Sequence, residues 1–236
     1  MLRSVFLTSA AAAAAATALA ATAASADVPG GTDLVEVQSS FDEKAFVAAV
    51  DRPADIRQLW DTVALRPGVL NNIKNSLNTL QFGFAYDPKR IGMVAVNHGP
   101  SVTYTYSDYV WTKYGIGDFF DFKDANGNRI ASNIFLPRKY PASASSDLSA
   151  ENGIYQDSGI SALQARGVVF LTCHTAVEEQ SRLLIKAGKA PAGMSPADVA
   201  GDILSHLIAG AVVVPGGVGT LAVLQHKYGY TYATVQ

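Results

Sequence analysis

The chain has 236 residues, of which 49% are hydrophobic, 16% charged and 9% aromatic. This composition excludes disorder, collagen-like repeats and disulfide-stapled miniproteins, and predicts a folded globular domain. With 18 basic residues against 20 acidic ones the net charge is −2. No surplus of positive charge exists to neutralise a phosphate backbone, so nucleic acid is not an expected partner.

Residues 1–26 read as a secretory signal peptide. Arg3 is the only charge, an apolar stretch runs from Val5 to Ala24, and Ala24-Ser25-Ala26 supplies the small-x-small cleavage pattern. The position beside Arg3 is Ser4, so the twin-arginine signal lacks its second arginine and the general secretory route is expected. The mature protein, 27–236, is expected to be one α/β domain, periplasmic or secreted. No later run approaches the ~20 apolar residues of a membrane span, so no membrane contact is expected after cleavage. Cys173 is the only cysteine. It cannot form an intramolecular bridge, and in an oxidising compartment it is either buried and inert or exposed and used.

In chain order, Ala45 to Val50 is a short apolar run stopped by Asp51-Arg52-Pro53, which predicts a first strand, with a polar helical stretch after it. Pro67 opens an amphipathic helix carrying Val69, Leu70, Ile73, Leu77 and Leu80 at helical spacing. Ile91 to Val96 is a second strand ending at Asn97-His98-Gly99-Pro100. Ser101 to Tyr114 has a helical rhythm rich in tyrosine, and periodicity then disappears over 115–155, a long irregular insertion with a hairpin turn at Asn126-Gly127. A short helix from Ile160 leads to a third strand, Val168 to Leu171, and Thr175 to Lys186 is helical. Ser195-Pro196-Ala197-Asp198 starts the next helix as a capping box. Ala211 to Val214, Gly219 to Lys227 and Tyr230 to Val235 read as strand, helix and strand. The alternation predicts an α/β fold with a five-stranded, mainly parallel sheet and helices on both faces.

Cys173 falls where the carboxyl end of the third strand meets a helix amino terminus. Ligands of parallel sheets bind at that edge, and free helix N–H groups favour an anion such as a thiolate. His174 beside it is a second catalytic candidate. His98, in the turn after the second strand, lies at the same edge and is a binding candidate, together with Tyr109 and Trp111 of the aromatic segment. Gly217 and Gly219 belong to Gly217-Val218-Gly219-Thr220-Leu221-Ala222, formally a dinucleotide fingerprint. No acidic residue follows it, so the ribose partner is missing, and a turn whose N–H groups hold a small anion is the expectation. Asp198, Asp202 and His206 form an i, i+4, i+8 stripe that reads as the solvated side of a helix. No metal and no cofactor is expected.

Several stretches together resemble the DsrE/DsrF-like sulfur-relay family, and more closely its exported, uncharacterised branch. They are Leu77-Asn78-Thr79, Tyr109 to Tyr114, Ala162 to Gly167 running into VVFLTC, Val214 to Val218, and Tyr228 to Tyr232. The resemblance implies a DsrE-like sheet, trimers or hexamers, and a persulfide-bearing cysteine at the position of Cys173. A small sulfur compound or a sulfur-carrier protein is the partner it implies. A noncatalytic module of the same fold, binding a small ligand or serving assembly through the aromatic segment, is the alternative. Export and the 115–155 insertion depart from the cytoplasmic pattern.

Overall fold

The structure is a computed structural model that describes residues 41–124 and 126–234; the signal-peptide reading of 1–26 lies outside these residues. Its first element corrects an expectation. Asp42 caps a helix by accepting from the Ala45 N–H at 2.9 Å, and Phe46 and Val50, four positions apart, turn inward. The apolar run is therefore helix α1 (Glu43–Val50), and the first strand is the more polar β1 (Ile56–Thr62). The polar side chains of β1 find partners: Arg57 donates to the Tyr228 and Arg52 carbonyls, and Gln58 accepts from Ser76 of α2 and from Trp60 of its own strand. Tertiary hydrogen bonds of this kind outweigh strand propensity and leave no periodic trace.

Helix α2 (Pro67–Asn78) leads to β2 (Ile91–Asn97), whose seven residues are all buried. A 3-10 turn, Gly99–Thr105, and two short helices, α3 (Asp108–Lys113) and α4 (Ile116–Phe119), replace the longer helix expected there. Beyond them the insertion has little regular structure, and a lone antiparallel bridge, Lys123 to Arg129, flanks the Asn126-Gly127 turn. It is anchored from within by Asn133, which is buried, donates to the Tyr104 and Tyr106 carbonyls at 3.0 and 2.8 Å and accepts from Phe135 N–H at 3.0 Å. Then come α5 (Ile160–Ala165), β3 (Val168–Cys173), α6 (His174–Lys186), α7 (Pro196–Ser205), β4 (Ala211–Val214), α8 (Gly217–Tyr228) and β5 (Thr231–Thr234). The Ser195/Asp198 capping box opens α7.

The five strands form one sheet in the order β4-β3-β2-β1-β5, every neighbouring pair parallel. The predicted α/β class is what the molecule has. Alternate side chains of the strands feed two cores. Trp60, Met93, Ala95 and Phe170 pack with α2, α3 and α5 to α7, while Leu59, Val94, Val96 and Leu171 pack with α1 and α8. The arrangement follows from right-handed crossovers. From β1 to β4 the chain steps one way along the sheet and its helices stay on one face; α8 carries it back across the sheet to β5 and so lies on the other.

Candidate functional site

That reversal comes after β4, so the neighbouring strands β3 and β4 send their loops to opposite faces. The loop after β3 enters α6 on one face of the sheet, the loop after β4 enters α8 on the opposite face, and their divergence opens a crevice at the carboxyl ends of the strands, the place where open parallel sheets bind ligands. Cys173, the last residue of β3 and the N-cap of α6, sits in this crevice. Its sulfur accepts two backbone N–H groups, from Ala176 at 3.3 Å in its own helix and from Gly217 at 3.1 Å across the crevice. Thr175 fastens the two loops by donating its hydroxyl to the Pro215 carbonyl at 3.0 Å.

A cavity of about 280 Å³ opens over the sulfur, lined by His98, Gly99, Cys173, Thr175, Ala176, Glu179 and the Gly216–Gly219 loop. Cys173 is only 4% exposed, so the thiol is the floor of a pocket and not a surface group. Gly217 is required twice at this point. Its N–H reaches the sulfur, and a Cβ on it would lie 2.7 Å from His98 Cβ, closer than such carbons approach. The close passage of His98 over the loop therefore needs glycine.

His98 is held from behind. Its Nε2 donates to Asp61 Oδ1 at 2.6 Å, and Asp61 Oδ2 accepts from the Tyr232 hydroxyl at 2.6 Å, a bond that keeps the Tyr232 proton on and raises its pKa. The donation fixes the ring with Nδ1 unprotonated when the imidazole is neutral. The strand ends beneath are stapled by Thr62 donating to Asn97 Oδ1 and Asn97 donating to the Leu171 carbonyl, both at 2.8 Å. Behind the sulfur, Tyr106 is fully buried and its hydroxyl has no hydrogen-bond partner. Burial, with a further contribution from the charge of Cys173, raises its pKa well above the usual phenol range.

Of the residues singled out in the sequence, Cys173, His98, Gly217 and Gly219 line this one cavity. His174 begins α6 but is not among the lining residues, and its Nδ1 is buried without a partner. Trp111 is wholly inside the core, its indole donating to the Thr103 carbonyl at 3.2 Å. Tyr109 lies on a separate surface, donating to Asp202 and with its ring packed at a tilt against His206. The aromatic rhythm that marked both residues is the packing of short helices, as helical aromatic periodicity most often is. Asp198 caps α7, Asp202 is bonded to Tyr109, Lys113 and Tyr114, and among the described residues no three metal-ligating side chains converge. Asp61, Tyr232 and Tyr106 were not legible as site residues. Asp61 lies on the strand whose sequence reads as polar helix, while Tyr106 and Tyr232 fall in stretches that stood out for their tyrosines without any sign that these two belong to the site.

Comparison of this chain with protein-family models, curated proteins and solved structures gives no match.

Proposed function

We propose that this protein handles sulfane sulfur, with Cys173 accepting it as a persulfide and passing it on. The observation that carries the reading is the Cys173 sulfur at the floor of a 280 Å³ pocket, accepting N–H groups from both sides of the crevice at 3.3 and 3.1 Å. Two such donors and a helix amino terminus compensate the negative charge of the attacking Cys173 thiolate. In the loading step the Cys173 thiolate attacks the outer sulfur of a donor persulfide, R–S–SH. The new S–S bond forms on Cys173, the donor S–S bond breaks, the donor leaves as the thiolate R–S⁻, and the proton stays on the transferred sulfur, so no external oxidant is needed. In this reading His98, which lines the same cavity with its ring held by Asp61, takes up or returns that proton. The resemblance to the exported DsrE/DsrF-like branch, the signal-peptide reading and assembly into trimers or hexamers belong to this proposal.

Intact mass after incubation with polysulfide tests it, with Cys173→Ser as control. A reducible gain of one or more sulfur atoms, absent from the variant, is the expected result. A thiol that stays unmodified in the folded protein and reacts only after denaturation overturns it.

One observation favours a second reading, the noncatalytic assembly module. Val218, at the pocket, and Val223, further along α8, are 69% and 42% exposed, aliphatic surface that a partner chain would cover. The solution mass of the protein tests this reading: a monomer removes it.

A further inference from the structure

Four cations gather at the opposite, amino-terminal edge of the sheet. Arg166 closes α5 just before β3, and Lys74 lies on α2. Arg138 and Lys139 come from the insertion. Arg138 and Arg166, with Tyr155, Ile154, Ala142 and Ala162, line a cavity of about 210 Å³. The Arg166 guanidinium lies 5.3 Å from the centre of the Tyr155 ring and donates to Gln81 through Nη2, while its Nη1 is buried without a partner. Lys74 is only 7% exposed, and its ammonium, with three protons to give, donates to Gln156 alone at 3.0 Å.

Among the described residues none of the four forms an ion pair. Burial, then Lys139 and Arg166, push the Lys74 pKa down, and burial does the same to Arg166. Asp157 is adjacent in sequence to Gln156, but its two carboxylate oxygens accept from the Tyr140 and Gly159 N–H groups. Lys74 and Arg166, drawn into the protein with an orphaned N–H and with the exposed Arg138 and Lys139 beside them, are unfavourable unless an anion completes them.

We infer that this cavity is a binding site for a tetrahedral oxyanion, phosphate or sulfate, free or as the terminal group of a small molecule. Its volume is below the roughly 300–1,000 Å³ of drug-sized ligand sites, and suits a compact anion. Arg138 and Arg166 supply the forked N–H donors such oxygens take. Lys74 and Lys139 add charge behind them, and Ile154, Ala142 and Ala162 leave an apolar wall for an organic remainder. The site lies at the opposite end of the strands from Cys173 and does not depend on the sulfur reading.

Calorimetric titration of the full chain with inorganic phosphate, inorganic sulfate and phenyl phosphate tests it, at constant ionic strength set with chloride. The expected result is saturable one-to-one binding, weakened tenfold or more in Arg166→Gln and severalfold in the exposed Arg138→Gln. Thermal unfolding gives an independent reading. At a hundred times the dissociation constant a single-site ligand raises Tm by about 5–10 °C for a chain of this size, and this gain should shrink in Arg166→Gln and in Lys74→Met, the latter having a Tm without anion above that of the parent. Tighter binding of phenyl phosphate than of phosphate assigns an organic ester as the ligand; equal binding assigns the free ion. Absence of binding heat, or an equal Tm gain in parent and both arginine variants, overturns the site, since excluded salts stabilise any fold without occupying one.

Discussion

At the scale of single residues, the two glycines of the Gly217-Val218-Gly219 sequence separate cleanly. Gly217 is pressed against His98 and donates to the Cys173 sulfur, whereas a Cβ at Gly219 meets nothing within 4 Å. Gly217→Ala should cost about 1–3 kcal/mol, the usual penalty of forced overpacking, and should slow modification of Cys173, because the loop must withdraw its N–H from the sulfur. Gly219→Ala, inside α8, should leave reactivity unchanged and add about 0.5–1 kcal/mol of stability by restricting the unfolded chain. Chemical denaturation and timed alkylation of the two variants read both quantities, and equal effects would contradict the assigned geometry. Tyr106 gives a second residue-level contrast. Its buried hydroxyl has no partner, so Tyr106→Phe removes an unsatisfied group while keeping the ring, and stability should rise by about 1 kcal/mol. A loss in urea unfolding would mean that the hydroxyl is bonded after all.

At the scale of elements, α3 and α7 are joined by a polar cluster rather than by the core alone. Asp202 accepts from Tyr114 at 2.7 Å, from Lys113 at 3.0 Å and from Tyr109 at 3.2 Å. Burial works against its charge, but the hydrogen bonds from Tyr114 and Lys113 outweigh it and hold the carboxyl below its ordinary pKa. A carboxylate with a depressed folded-state pKa stabilises the fold above the unfolded value, and that contribution fades as pH falls through the folded one. Stability should therefore drop as pH goes below about 4, and Asp202→Asn should flatten that part of the profile while lowering stability at neutral pH. Parallel slopes in parent and variant would show the cluster to be uncoupled from folding. Element identity was legible where periodicity was strong, as in α2, β2, β3 and α7, and failed at α1 and β1. Phe46 and Val50 fit a helix stripe as well as a buried strand, and six residues are too few for the period to decide. β1 hides because Arg57, Gln58 and Asp61 are satisfied largely by groups remote in sequence, the Tyr228 carbonyl and the Ser76 and Tyr232 hydroxyls. The same blindness removed Asp61 from the candidate site, while Cys173, His98 and Gly217 were visible because each follows directly on a strand the sequence does reveal.

At the scale of the whole molecule, the site straddles parts of unequal stability. β3 is an interior strand, paired on one side with the wholly buried β2, and it carries Cys173; β4 is a four-residue edge strand, and the loop after it carries Gly217. Edge strands and their loops open locally at a fraction of the global unfolding free energy. With its thiol 4% exposed beneath that loop, Cys173 should be reached by reagents through opening of the β4–α8 connection and not through unfolding. Such an opening exposes little surface, so the alkylation rate should be almost independent of urea at low concentration. It should steepen only as global unfolding takes over, since denaturant sensitivity scales with the area exposed. Gly217→Ala, which stiffens the approach to His98 while detaching the N–H, should change the shallow limb and leave the slope of the steep one alone. A thiol whose alkylation follows the global slope from the lowest urea concentration would be reachable only by unfolding, and a crevice that never opens in the native state has no route by which a sulfur donor reaches Cys173.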